Sequence, residues 1–254
     1  SVMRAVQRTA FLLLAAAMLI AAALLPSSRK PPQDTETEKT AVYVYRGYGA
    51  ATDAPWDGKS LDFAVHRFRH LLEKYFPEGH SVYLAVVPDK AEFTVPPEGY
   101  VPAGAQETSA YLTERLDAEA VDIAPLLTLE DYYRTDPHWR QEQLCALEGE
   151  FRGSYWGKTE EALQPDVLSY LTSPGLEGCT VYNYETDGTG GVYDYAAAQD
   201  APYDLFLSGS RSLLRIENPA ADRERVLVVF RDSFGSSLIP LLAEGYGTVY
   251  AVDM

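Results

Sequence analysis

The sequence predicts an α/β domain with a mainly parallel sheet, and two observations support this prediction. The first is a strand–helix–strand pattern near the end of the chain. It consists of the apolar run Val226–Phe230, apolar residues at helical spacing over Leu238–Glu244, and the apolar run Thr248–Val252. Two buried strands joined by a short helix form a βαβ unit with parallel strands. The second observation is that helix and strand patterns alternate on both sides of residues 152–200, a segment without a sustained apolar period. Such alternation is typical of layered α/β domains.

The other elements are predicted from apolar period and from Pro or Gly breaks. The predicted helices are 61–76, 107–116 and 138–151, and the predicted strands are 42–45, 81–87, 120–124, 203–207 and 213–217. Residues 152–200 are aromatic and contain glycine without a sustained period. Loops and short strands are therefore expected there.

An apolar run near the N-terminus indicates export. Sixteen apolar residues without a charge, Ala10–Leu25, follow Arg4 and Arg8 and end at Pro26. The run is slightly long for a signal-peptide core and slightly short for a membrane span, so both remain open, and we favour a signal anchor. The arginines keep the N-terminus in the cytoplasm and send the rest outward. The expected organisation is a single-pass anchor helix over 1–26, a flexible tether over 27–40 and an extracytoplasmic domain over 41–254 at the cell membrane.

The charge of the chain excludes one class of partner. The sequence has 21 basic and 37 acidic side chains, a formal net charge of −16. Four of the basic residues and none of the acidic ones lie within residues 1–30, so 17 basic stand against 37 acidic side chains in the remainder, a balance of −20. Such a surface repels the phosphates of nucleic acid, so no nucleic-acid partner is expected.

Neither the histidines at helical spacing nor the cysteines indicate a metal site. His66 and His70 lie four apart on a predicted helix, which is a metal-binding spacing, but the two arginines between them would repel a cation. Solvent-facing residues are therefore favoured. Cys145 and Cys179 are equally compatible with one disulfide of an exported protein and with two buried thiols. No metal and no cofactor are expected.

His138 has an acidic residue in a position to orient it. Asp136 lies two residues earlier, in a segment that Pro137 holds extended. Residues i and i+2 of an extended chain project to the same side. The carboxylate can therefore accept a hydrogen bond from one imidazole nitrogen and leave the other nitrogen as a base. The alternative is that Asp136 caps the helix that His138 opens.

Ser233 is ambiguous in a similar way. It follows Asp232 at the turn from a predicted strand into a predicted helix, where serine is a good N-cap. The same position exposes a nucleophile and places it beside free backbone N–H groups that can stabilise an oxyanion. The local pattern leaves both possibilities open.

Taken together, two segments resemble a known family. They are Tyr133-Arg-Thr-Asp-Pro-His-Trp139 and Phe230-Arg-Asp-Ser-Phe-Gly235, and they are similar to the DHHW family of SGNH-hydrolase-like proteins, related to the alginate O-acetyltransferase proteins of bacterial envelopes. Further similarity lies in Val87-Pro-Asp-Lys90, Tyr203-Asp-Leu-Phe-Leu207 and Leu238-Ile-Pro-Leu-Leu242. The resemblance covers about residues 80–254. It implies a three-layer α/β/α, flavodoxin-like domain.

The resemblance also implies roles for single residues. Ser233 would be the nucleophile, His138 the general base and Asp136 the residue that orients it. The oxyanion donors would lie at Gly209 and Ser210.

A cluster of aromatic residues surrounds the expected base in the sequence. Tyr133, Trp139 and Trp156 would stack on sugar rings. The alternative is that Trp139 is a core residue and that the tyrosines are half-buried surface.

The sequence departs from the family pattern in three places. Pro137 replaces the first histidine of the DHHW motif, and Ser208-Gly209-Ser210 contains no asparagine as an oxyanion donor. The chain also stops at Met254, directly after a predicted strand, where the family continues with further elements. A shortened or degenerate member of the family is therefore one expectation.

The favoured function is a membrane-anchored acyl transferase or esterase acting on a cell-surface polysaccharide. The resemblance implies that the group is acetyl and that a membrane-bound O-acyltransferase partner supplies it. The alternative is a non-catalytic envelope scaffold or glycan-binding accessory of an O-acetylation system.

Overall fold

The computed structural model describes residues 8–15, 41–52, 57–76, 80–102, 104–141, 150–152 and 167–254. The first seven strands are β1 (Arg8–Ala15), β2 (Ala41–Tyr45), β3 (Tyr48–Thr52), β4 (His80–Val87), β5 (Glu119–Ala120), β6 (Glu150–Arg152) and β7 (Val167–Ser169). The other strands are β8 (Thr180–Asn183), β9 (Gly188–Gly190), β10 (Leu213–Glu217), β11 (Val226–Arg231) and β12 (Thr248–Asp253). The α-helices are α1 (Gly58–Tyr75), α2 (Ala105–Leu116) and α3 (Gly235–Ala243).

An eight-stranded mixed sheet forms the centre of the described chain, in the order β5-β4-β1-β11-β12-β10-β8-β9. The pairings from β5 to β12 are parallel, and those from β12 to β9 are antiparallel. With the two-stranded sheets β2–β3 and β6–β7, five of the nine described pairings are antiparallel. The prediction of a mainly parallel sheet is therefore wrong. The parallel half of the sheet is present. The strands β8 and β9 come from residues 152–200, where no period was visible, and they extend the sheet with antiparallel pairings.

Helices cover both faces of this sheet, because side chains alternate along each buried strand. Leu227 and Val229 of β11 pack in one core with Ile239 of α3. Phe230 points to the opposite face and packs edge-on against Phe68 of α1, with ring centroids 6.4 Å apart. Apolar residues of α2 complete that second core. The βαβ unit predicted from the sequence is thus present, with α3 on one face and α1 and α2 on the other.

The N-terminal apolar run differs most from its prediction. Arg8–Ala15 forms β1, which pairs in parallel with β4 on one side and β11 on the other. A membrane helix over 1–26 is therefore wrong for this stretch, since a run without a polar face also suits a central strand with both faces covered. Within the described ranges, no helix is long and apolar enough to span a bilayer. The rest of the predicted anchor and the tether over 27–40 lie outside the described residues.

Two predicted elements near the candidate site also differ. His138 does not open a helix, because Trp139 pairs with Tyr132 in an isolated antiparallel bridge and residues 134–138 form a bend between them. The end predicted for that helix falls in β6, and residues 142–149 lie outside the described part. The strand predicted over 203–207 is a 3-10 turn, Pro202–Leu205, whose first residue has the φ that a turn requires.

Candidate active site

Ser233 lies in the turn between β11 and α3, at the carboxyl end of a parallel strand. The Ser233 side chain does not cap the backbone N–H groups at the start of α3. Instead, the N–H of Phe234 donates to Asp232 Oδ1 at 2.9 Å. Because Asp232 satisfies this donor, the Ser233 hydroxyl is available for another partner.

That partner is His138. Ser233 Oγ lies 2.7 Å from His138 Nε2, and His138 Nδ1 lies 2.6 Å from Asp136 Oδ1. The same Asp136 oxygen accepts the backbone N–H of His138 at 2.9 Å. One carboxylate oxygen therefore holds the histidine by its backbone and by its ring. Nδ1 carries the proton in this arrangement, which leaves Nε2 as an acceptor for the serine hydroxyl.

Aromatic side chains enclose the imidazole. The ring of Tyr203 stacks on His138 with centroids 3.9 Å apart and 14° between the planes. Phe234 lies on another side at 4.7 Å. Burial raises the pKa of the Tyr203 phenol far above its ordinary value, so this hydroxyl remains protonated. The two rings limit rotation of His138, so its Nε2 remains directed toward Ser233.

One buried hydroxyl joins the histidine side of the site to the serine side. Ser237 Oγ in α3 accepts the indole N–H of Trp139 at 2.9 Å, and it lies 2.9 Å from the Tyr203 hydroxyl. Ser237 Oγ also lies 3.3 Å from Phe234 O, which can accept its proton. Gln141 Nε2 adds a bond to Ser237 O at 2.7 Å. The segment around His138 is thereby fixed to the helix that follows Ser233.

The predicted oxyanion residues lie in a left-handed turn. Leu207, Ser208 and Gly209 have φ values of 57°, 60° and 78°. The N–H of Gly209 donates to Phe206 O at 3.0 Å, so this donor does not reach a substrate unless the turn opens. Ser210 is exposed at the end of the turn. The remaining candidate oxyanion donors are therefore at Ser210 and in the backbone N–H of Ser233.

Arg231 connects this left-handed turn to the start of α3. Its side chain is 0% exposed, and Nη2 donates to Gly209 O at 3.3 Å while Nη1 donates to Ser236 Oγ at 2.9 Å. Desolvation lowers the pKa of the guanidinium, and Asp253, 3.8 Å away, opposes that effect. Gly235 is required here, because a Cβ on it would lie 2.6 Å from Arg231 Cβ.

Two of the residues predicted to bind sugar lie in the described part of the chain, and both are buried. Tyr133 is 1% exposed and Trp139 is 2% exposed. A buried ring cannot stack on a substrate, so we assign both to packing, which for Trp139 is the alternative given above. Trp156 lies outside the described residues.

The other candidate metal ligands in the described part of the chain do not lie together. His66 and His70 are exposed on α1, and among the described residues no three His, Cys, Asp or Glu side chains are grouped as a metal site. Cys179 is buried, and desolvation raises the pKa of its thiol. Cys145 lies outside the described part, so the question of a disulfide stays open.

Sequence reasoning missed three residues of this site. Asp232 accepts the N–H of Phe234 in the turn before α3, Tyr203 stacks on the base, and Ser237 joins the two halves. Tyr203 belongs to a segment singled out by the family resemblance, which was the only signal for it. The roles of all three depend on contacts made in the folded chain.

The comparisons with known proteins agree with this fold. No family model and no curated protein matches the chain. The solved structure of Bacillus cereus PatB1 with a sulfonyl adduct is similar, with a TM-score of 0.62 and 17% identity over 85% of this chain and 87% of that chain. A second structure of Bacillus cereus PatB1 has a TM-score of 0.60 and 18% identity, covering 84% and 87%.

A DHHW family protein from Eubacterium siraeum has a TM-score of 0.61 and 19% identity, covering 87% of this chain and 84% of that chain. At these identities the likeness establishes the fold alone. The kind of fold that the motifs imply is supported, whereas these structures do not include an alginate protein.

Proposed function

We propose that this chain is an SGNH-type enzyme that transfers an acyl group, as a transferase or an esterase, through Ser233, His138 and Asp136. The observation that supports the proposal is the continuous hydrogen-bonded line from Ser233 Oγ through His138 to Asp136, with distances of 2.7 and 2.6 Å. A serine bonded to an oriented imidazole is the arrangement that activates a hydroxyl for attack.

In the first half-reaction, Ser233 Oγ attacks the carbonyl carbon of an ester while His138 Nε2 takes the hydroxyl proton. Asp136 stabilises the imidazolium that forms. The tetrahedral intermediate then collapses, the bond to the departing alcohol breaks, and His138 returns the proton to that alcohol. The acyl group is left as an ester on Ser233.

In the second half-reaction, His138 takes a proton from an acceptor hydroxyl that attacks the acyl-enzyme. The acceptor is water in an esterase and a sugar hydroxyl in a transferase. Collapse of the second intermediate releases Ser233, which regains its proton from His138. The backbone N–H of Ser233, together with Ser210 in place of the family's asparagine, would hold the oxyanion in both steps, and each such donor is typically worth about 10²–10³ in rate.

A cell-surface polysaccharide as substrate, acetyl as the group and a membrane-bound O-acyltransferase as its source belong to this proposal, as does a location outside the cytoplasm. They rest on the resemblance of the motifs. Bacillus cereus PatB1 was solved with a sulfonyl adduct. Sulfonyl reagents trap activated hydroxyl groups, so the same class of reagent is a suitable probe for Ser233.

The test compares the chain with its Ser233→Ala variant on a short acyl ester, with and without an added oligosaccharide acceptor. We expect Ser233→Ala to lower kcat by about 10⁴-fold or more, as loss of a triad nucleophile does. Ser109→Ala, on α2, is the matched control and should retain the full rate. A sulfonyl fluoride should label the parent chain and not Ser233→Ala.

The products distinguish a transferase from an esterase, and the rates distinguish an enzyme from an accessory protein. Acylated oligosaccharide as a product would identify a transferase, whereas free acid alone would identify an esterase. Equal rates for the parent and Ser233→Ala, or no ester cleavage and no transfer to any offered glycan, would favour a non-catalytic accessory protein. The engaged N–H of Gly209 is the feature that favours this second function.

A further inference from the structure

A buried lysine lies against the segment that carries the base. Lys90 is 4% exposed, and its Nζ donates to Tyr133 O and to Asp136 O, both at 3.0 Å. Removing an ammonium from water is costly unless its protons find acceptors. Here two backbone carbonyls of one short segment supply them.

The base segment, residues 131–140, has few regular backbone bonds of its own. The bridge between Tyr132 and Trp139 closes it, with the N–H of Tyr133 donating to His138 O at 3.0 Å. Inside this closure, residues 134–138 form neither helix nor strand. Carbonyl groups in such a bend point in different directions unless something holds them. The carbonyls of Tyr133 and Asp136 converge on the Lys90 ammonium.

Lys90 is itself held in place at the carboxyl end of β4. Asp89 caps its turn by accepting the N–H of Ala91 at 2.6 Å, and Glu92 accepts the N–H of Asp89 at 3.0 Å. The carbonyl of Pro88 accepts the buried Tyr132 hydroxyl at 2.7 Å. The Val87–Lys90 motif and the base segment are thus joined through both a side chain and a backbone group.

Asp136 is therefore fixed from two directions. Its carbonyl oxygen accepts from Lys90, and its carboxylate accepts from the ring and the backbone of His138. The backbone of Asp136 cannot rotate without losing either the bond from Lys90 or one of the bonds from His138. The orientation of His138 toward Ser233 follows from the orientation of Asp136.

We propose that Lys90 is a positioning residue for the Asp136–His138 pair and that its positive charge is required for this role. A neutral side chain of similar length would fill the space but would not gather the two carbonyls. The activity readout rests on the proposed function, whereas a spectroscopic readout of the His138 ring does not.

The experiment uses Lys90→Ala with added propylammonium, which replaces the atoms that the substitution removes. We expect Lys90→Ala to lose about 10–100-fold in kcat with a smaller change in KM, because misplacing a catalytic group by about 1 Å costs up to about 10² in rate. Propylammonium should restore most of the lost rate, and 1-propanol should not. Lys59→Ala, at an exposed lysine of α1, is the control and should neither lose rate nor respond to either additive.

The second readout is the proton NMR signal of the His138 Nδ1–H, which a short bond to a carboxylate shifts far downfield. We expect it to be present in the parent chain, absent in Lys90→Ala and restored by propylammonium. This result would support a positioning role for Lys90 even if the parent chain cleaved no ester. The proposal about Lys90 and the proposed function can therefore fail separately.

Three results would overturn the inference. They are an unchanged signal and rate in Lys90→Ala, recovery with 1-propanol equal to that with propylammonium, and a full rate in a folded Lys90→Met variant. Lys90→Met also serves if Lys90→Ala does not fold, since it retains the buried methylene volume while removing the charge.

Discussion

At the scale of single residues, two neighbouring side chains of the candidate site divide two roles, bonding a backbone N–H and bonding the base, that one serine could have combined. Asp232 accepts the backbone N–H of Phe234, and Ser233 bonds the imidazole. Asp136 instead combines two roles, since one oxygen receives both the ring and the backbone of His138. Exchanging Asp232 and Ser233 would retain both residue types and lose both functions.

Gly209 allows a prediction about the left-handed turn. Its φ is +78°, and a Cβ there would overlap the Asp204 carboxylate. We expect Gly209→Ala to lower the free energy of unfolding by roughly 1–2 kcal/mol from backbone strain alone, with an added cost from the overlap. Chemical denaturation measures this. Adding Asp204→Ala should recover the cost of the overlap and leave the cost of the strain.

Gly190→Ala is the control for this substitution. A Cβ at Gly190 meets open space within 4 Å, so a change of less than about 0.5 kcal/mol is expected. If both variants were equally stable, the left-handed turn would not be a constraint on the fold.

At the scale of elements, the base segment is attached to α3 through Ser237, and this attachment can be weakened without touching the triad. Tyr203→Phe retains the ring that stacks on His138 but removes the hydroxyl that is hydrogen-bonded to Ser237. We expect a loss of about 1–2 kcal/mol in the free energy of unfolding. The ester rate should remain within a few-fold of the parent.

Tyr195→Phe is the matched control, since its hydroxyl bonds Tyr170 at 3.3 Å on an exposed face. It should leave both the unfolding midpoint in urea and the ester rate unchanged. Equal stability of the two variants would mean that the Tyr203 hydroxyl contributes nothing to the attachment.

The elements also show how far the sequence could be interpreted. The apolar stripe of α1 and the βαβ unit ending in β12 were predictable, because burial imposes a local period on them. The helix predicted to begin at His138, inside the base segment, was wrong because the backbone partners of this segment are remote. Asp136 O accepts from Lys90, 46 residues earlier, and Arg134 O accepts the N–H of Gly49 in β3. Such contacts leave no period in the sequence.

The site shows the same limit. Ser233 and His138 were singled out only when two motifs were considered together, since each alone also suited a helix cap. Tyr203 and Lys90 carry no local mark of their roles, because an aromatic or a lysine in a turn has many uses. Only the folded chain places them against the imidazole and the carbonyls.

At the scale of the whole molecule, tyrosines whose pKa is raised in the folded chain make the fold sensitive to alkali. Desolvation raises the pKa of Tyr132, Tyr193 and Tyr203 well above the ordinary value of about 10. The folded chain therefore retains protons that the unfolded chain releases above about pH 10. The free energy of unfolding should fall as pH rises above that point, by up to about 1.4 kcal/mol per pH unit for each phenol.

Urea unfolding between about pH 9 and 11 measures this slope, with tyrosinate absorbance as the record of ionisation. Tyr193→Phe should reduce the slope, since it removes one of the phenols whose pKa is raised in the folded chain. A slope that Tyr193→Phe leaves unchanged would show that other groups govern the alkaline limit.

The base segment has almost no helix or strand of its own, and this affects how the protein would lose its function. Because the base segment has few regular backbone bonds, the contacts of its buried side chains, above all Tyr132 and Trp139, determine the free energy at which it opens. Opening of residues 131–140 would withdraw His138 from Ser233 while the central sheet remained intact. Heat would then inactivate the protein before it melted, and the inactive molecules would recover on cooling.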